Sequence, residues 1–103
     1  MSYEQDQIVW RETRTFPGIA AQIEPFLDTI GDVLAQKEWD PASAFAVRLA
    51  LDEGIANAIE HGNQHDPEKK VLLDVELGES YIRIAISDEG VGFDSQKVKD
   101  PTL

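Results

Sequence analysis

The sequence predicts an α+β fold, a two-layer sandwich with helices packed on one face of a mainly antiparallel sheet. Three observations lead there: an N-terminal strand pattern that stops at Pro17-Gly18, two successive stretches with apolar residues at helical spacing, and two strand patterns joined by a short turn. The order strand, helix, helix, hairpin segregates helices from strands, and each layer needs the other to bury its apolar side. The 103 residues form one domain's worth of chain, read as a single unit over residues 1–103. A chain of this size buries roughly 60–68% of its unfolded surface, enough for one modest core.

Residues 8–16 (IVWRETRTF) mix β-branched and aromatic side chains with polar ones, which reads as a strand at a sheet edge. From Ile19 the period changes, and Ile19, Ile23, Phe26/Leu27, Ile30 and Val33/Leu34 recur at helical spacing. Pro25 falls inside that pattern and either kinks the helix or marks where its regular part begins. Asp40-Pro41 is an N-cap followed by proline at the first helical position. A second helix is therefore expected over residues 41–61, ending at Gly62-Asn63. After a polar loop over 64–70, residues 71–77 and 81–87 form a β-hairpin about Gly78-Glu79-Ser80, with Ile82, Ile84 and Ile86 on one face. Asp88-Glu89-Gly90-Val91-Gly92-Phe93 is then a glycine-rich loop, and residues 94–103 are polar and aperiodic.

Composition removes several function classes. Twenty acidic against nine basic side chains give a formal charge of −11, which argues against a nucleic-acid surface and against anionic membranes. Cysteine is absent, so disulfides, thiolate metal sites and cysteine nucleophiles are excluded. The first residues carry no positive charge and lead into no apolar run, and no stretch approaches the roughly 20 apolar residues of a membrane span. A soluble, cytoplasmic protein is expected.

The second helix carries the first candidate site. At about 100° per residue, Val47, Leu51, Ile55 and Ala58 form one apolar stripe, the core contact. Beside it Ala46, Ala50, Glu53, Asn57 and His61 form another, in which the alanines clear space and Glu53 and Asn57 project into it. A solvated polar edge is the plain reading of such a pair. Against it, a solvated face usually carries long charged side chains, and Gly54 forfeits about 1 kcal/mol of helix propensity, which implies close approach of another element. The side-chain oxygens of Glu53 and Asn57 suit Mg²⁺ directly or through water, and a glutamate can instead polarise a nucleophile.

The glycine loop is the second candidate. Gly90 and Gly92 allow backbone to approach a flat ligand or a phosphate closely, and Asp88, an acceptor-only side chain, suits the amino group of adenine. Taken alone, D-x-G-x-G is equally a plain turn, and it is not a dinucleotide fingerprint, since the third glycine and following helix are missing. His61 and His65, four apart near Glu60 and Asp66, have zinc-ligand spacing, but Gly62 ends the helix between them and removes the shared face.

Together the two signals are specific. Residues 51–62 (LDEGIANAIEHG) resemble the N-box of the ATPase superfamily shared by gyrase and sensor histidine kinases, and residues 88–93 (DEGVGF) resemble its first glycine box. The combination E-x-x-x-N-A-x-x-H-G is most similar to the anti-sigma regulatory factors that are also serine/threonine protein kinases. The resemblance spans nearly the whole chain and implies the Bergerat-like ATPase fold, with ATP and Mg²⁺ as cofactors. It implies Asn57 as the Mg²⁺ ligand and Glu53 as the general base for a serine or threonine hydroxyl. It further implies Asp88 as the adenine contact, with Gly90 and Gly92 shaping the pocket floor. His61 stands where the family has a histidine closing the helix; contact with the ligand and a favourable position at the helix C-terminus are both open readings.

The implied function is an ATP-dependent kinase that binds a sigma factor and phosphorylates an anti-anti-sigma protein, in transcription regulation and stress response, as a homodimer. Two alternatives stand beside it: a non-catalytic sigma-sequestering module, and the ATPase module of a larger signalling protein. Family members continue with a phosphate-covering lid, a second glycine box opening a helix, and a closing strand. Residues 94–103 are expected to begin that lid, and the chain is expected to lack the rest.

Overall fold

The computed structural model describes residues 7–90 and 93–99. In chain order it contains β1 (Ile8–Pro17), α1 (Ala20–Gln36), α2 (Pro41–Asn57), a π-helical turn (Ala58–Gly62), β2 (Lys70–Gly78), β3 (Tyr81–Asp88) and β4 (Phe93–Lys99). The four strands lie in the order β1-β2-β3-β4, every neighbouring pair antiparallel, which is the sheet the sequence predicts with one strand more. The addition is β4. Its residues read as an aperiodic loop and as the start of a lid, yet 93–99 pair with β3 from Ser87↔Phe93 to Tyr81↔Lys99. Strand pairing needs only backbone donors and acceptors, and the open edge of β3 offers both, so pairing does not require an apolar alternation.

Register puts one face of the sheet on the helices. Val71↔Asp88, Leu73↔Ile86, Val75↔Ile84 and Leu77↔Ile82 are cross-strand partners, and a period of two carries all of them to the same side. The apolar members of these pairs are buried against Ile23, Phe26 and Ile30 of α1 and Val47, Leu51 and Ile55 of α2. α1 continues through Pro25, which sits on the exposed side, where the Ala21 carbonyl it leaves without a helical donor is open to water. Arg48 of α2 reaches across to α1, pairing with Asp28 at 2.9 Å and with Glu24, and with Asp52 of its own helix at 3.1 Å.

α1 ends in a Schellman motif without the usual glycine. Trp39 N–H donates to Leu34 C=O and Glu38 N–H to Ala35 C=O, both at 3.0 Å, while Leu34 and Trp39 are both buried in the core. Glu38 therefore sits in the left-handed region at φ 60°, where its Cβ costs about 1 kcal/mol. The outer face of the sheet is polar. Arg11 donates to both oxygens of Asp74 (3.3 and 3.1 Å) and Thr13 donates to it at 2.9 Å. Tyr81 and Arg83 donate to Glu76 at 2.8 and 3.3 Å. The hydrogen bond from Arg11 holds the Asp74 carboxyl below the usual carboxylate range, and the one from Tyr81 does the same for Glu76.

Two expectations follow. Glu38→Gly should raise stability by about 0.5–1 kcal/mol, several degrees in thermal midpoint for a domain of this size; an unchanged or lower midpoint would contradict the cap assignment. Asp74 and Glu76 bind protons more weakly folded than unfolded. Their stabilisation is thus complete above the ordinary carboxylate range, at about pH 4, and lost as pH falls through the depressed folded-state values. Asp74→Asn should flatten the acid limb of the denaturation midpoint against pH, and an unaltered acid slope would contradict it.

Candidate functional site

α2 is aimed by its cap and its core stripe. Asp40 accepts the Ser43 N–H at 3.2 Å, Pro41 opens the helix, and Val47, Leu51, Ile55 and Ala58 are buried as the sequence predicts. The second stripe therefore faces outward: Ala46, Glu53, Asn57 and His61 are exposed and Ala50 is half-buried. The element implied by Gly54 is β3, since a Cβ on Gly54 would press into the end of the Ile86 side chain.

The helix end meets the glycine loop. A Cβ on Gly62 would overlap the Asp88 carboxylate, and one on Gly90 would overlap the Gly62 carbonyl. Asp88 Oδ1 accepts the Gly90 N–H at 2.8 Å, which turns the chain back over the helix. The structure so brings Asp88 and Gly90 against the end of the helix that carries Glu53, Asn57 and His61. Glu53 stands nine residues before Gly62, about 13 Å of helical rise. Gly92 lies outside the described residues. The fit for an adenine nucleotide is chemical: an acceptor-only carboxylate at the helix end, and a carboxamide oxygen on a small-residue flank.

The last turn differs from the regular helix expected to His61. α2 gives way at Ala58 to a π-helical turn, closed by Asn63 N–H donating to Ala58 C=O at 2.8 Å, and beyond it His65 N–H donates to Ile59 C=O at 2.8 Å. Gln64 and His65 follow at φ 53° and 61°. Asn63, which the sequence pattern marks only as a helix stop, ties the turn down. It is 0% exposed; its Oδ1 accepts the Glu89 N–H at 2.9 Å and its Nδ2 donates to Lys70 C=O at 3.0 Å. An amide directly after a helix-ending glycine was the available signal, but an ordinary helix C-cap carries the same signature.

A groove of about 290 Å³ lies on the α1 side of α2, with Leu27, Ile55 and Ile59 on its floor and Glu24, Asp52 and Glu60 at its rim. Glu53 and Asn57 are not among its lining residues. Among the described residues, no helix is long and apolar enough to cross a membrane.

Residues 16–103 match the sequence model of a family described as Histidine kinase-like ATPase domain. Over 75 residues the chain is 31% identical to an anti-sigma F factor of Clostridium beijerinckii, covering 73% of this chain and 43% of that protein. It is 31% identical to an anti-sigma F factor of Bacillus cytotoxicus and 30% identical to one of Shouchella clausii, each match covering 71% of this chain and 51% of the relative. The chain thus spans about half the length of these curated relatives.

The glycine contacts differ in what obstructs them, and that difference is measurable. At Gly54 the obstacle is the rotatable end of Ile86, whereas at Gly90 it is the backbone of Gly62. Gly90→Ala should therefore cost about 1–3 kcal/mol in denaturant unfolding, while Gly54→Ala, which also gains helix propensity, should stay within about 1 kcal/mol of wild type. Equal costs at the two positions would contradict the packing of the loop on the helix end.

Proposed function

The chain belongs to the histidine kinase-like ATPase domain family, and from that premise we propose that it carries the adenine- and metal-binding part of an ATP-dependent serine/threonine protein kinase of the anti-sigma type. The observation that carries the reading is the seat of Asp88 against Gly62, at the end of the helix whose exposed small-residue flank presents Glu53 and Asn57. Asp88 accepts a hydrogen bond from the adenine amino group. Asn57 is the residue that would hold Mg²⁺. When bound, that ion supplies the positive field that a protein of charge −11 needs to receive a polyanion. Glu53 accepts the proton of the attacking serine or threonine hydroxyl. Gly90, with Gly92, keeps the pocket floor free of side chains, and His61 closes the helix at its rim. The proposed domain includes residues 1–103.

The names of the relatives support a sigma factor as the bound partner. An anti-anti-sigma protein is the proposed phosphoryl acceptor, and the working unit is a cytoplasmic homodimer. With ATP labelled at the γ-phosphate, Mg²⁺ and an anti-anti-sigma protein, label should pass to a serine or threonine of the acceptor. Glu53→Ala should reduce transfer by about 10²–10⁴-fold and leave nucleotide affinity nearly intact. Asn57→Ala should remove the Mg²⁺-dependent part of nucleotide binding. Sigma-factor binding without any label transfer would make the chain a non-catalytic sequestering module instead. Equal loss of transfer and affinity in Glu53→Ala would contradict its role as base.

A further inference from the structure

We propose that Asn63 is a positioning residue of the adenine pocket: its buried side chain holds Asp88 over the end of α2 and so sets the preference for adenine over guanine. The inference rests on the nucleotide reading above. Asn63 is fully buried, and its carboxamide is used at both ends, accepting from Glu89 N–H at 2.9 Å and donating to Lys70 C=O at 3.0 Å. Its own N–H is tied to Ala58 C=O at 2.8 Å, and Lys70 N–H closes the ring by donating to Glu89 Oε1 at 2.8 Å. The helix end, the start of β2 and the loop after β3 are thereby referenced to one side chain.

The hold on Asp88 is geometric. The Glu89 N–H lies in the same rigid plane as the Asp88 carbonyl, so fixing that N–H leaves only the torsions within Asp88 to move its carboxylate. Those are limited by the bond from Gly90 N–H, at 2.8 Å, and by the close seat on Gly62. Adenine presents an amino donor at the edge where guanine presents a carbonyl acceptor. An acceptor-only carboxylate attracts the first and repels the second, but it discriminates only if it cannot swing aside.

The test compares wild type, Asn63→Ala and Asn63→Asp for binding of ATP, GTP and inorganic tripolyphosphate, each with Mg²⁺. Wild type should prefer ATP. Asn63→Ala should weaken ATP binding by about tenfold, the effect of losing one well-made buried hydrogen bond, while GTP and tripolyphosphate change by less than about twofold. Asn63→Asp, its buried carboxyl protonated, keeps the acceptor for Glu89 N–H and a donor for Lys70 C=O, and should keep the preference. A purely structural role would weaken all three ligands by one factor in Asn63→Ala; that result, or an undiminished ATP preference, overturns the inference. Should the alanine variant not fold, the aspartate variant decides, since a folded Asn63→Asp without adenine preference overturns it equally. A wild-type chain indifferent to the base or unable to bind either nucleotide defeats the nucleotide reading itself, and the inference with it.

Discussion

A single buried carboxamide, that of Asn63, joins the end of α2, the first residue of β2 and the loop that leaves β3. Much of the local geometry follows from it. Its backbone N–H takes the carbonyl five residues back, which widens the last turn of the helix into a π-turn. The wide turn carries Gly62 under Asp88 and Gly90, so Gly62 and Gly90 must both lack a Cβ. The two residues beyond it are pushed to positive φ, a conformation that Gln64 and His65 adopt at some cost. The strain is local and the contacts that hold it are buried, the usual condition for such backbone to persist.

Charge is distributed in a way that bears on the proposed chemistry. All four arginines are engaged in ion pairs: Arg11 and Arg83 on the outer face of the sheet, Arg14 with Glu12 over the Phe26 ring, and Arg48 at the α1–α2 seam. Each therefore serves the frame. The proposed site sets the oxygens of Glu53, Asn57 and Asp88 on a molecule of charge −11. A phosphate chain approaching it needs a cation as intermediary, which is why an oxygen-ligating metal and a neutral carboxamide suit the flank together. The same acidity raises the local concentration of basic partners.

The proposed site also explains an economy in α2. One helix serves the core with Val47, Leu51 and Ile55, the sheet with Gly54, and the ligand flank with Glu53 and Asn57. Positions three and four apart share a face, so core contact and site share a single rotation of the helix. A change that rolled α2 to improve its packing would misplace Glu53 and Asn57 together.

Elements whose pattern is local were legible in the chain itself. The Asp40-Pro41 cap, the two helical periods and the alternation of Val71 to Leu77 specify each segment without reference to the others, because propensity, capping and burial period act over a few residues. The E-x-x-x-N spacing and the D-x-G-x-G loop were visible for the same reason. Three features depended on partners distant in sequence. β4 needed the free edge of β3; the π-turn and the seat of Asp88 needed Asn63 to meet Glu89, 26 residues on; the cap of α1 accepted a glutamate because Leu34 and Trp39 are buried in the core that the sheet completes. Such contacts draw their energy from groups that only the folded chain brings together, so no window of sequence contains them.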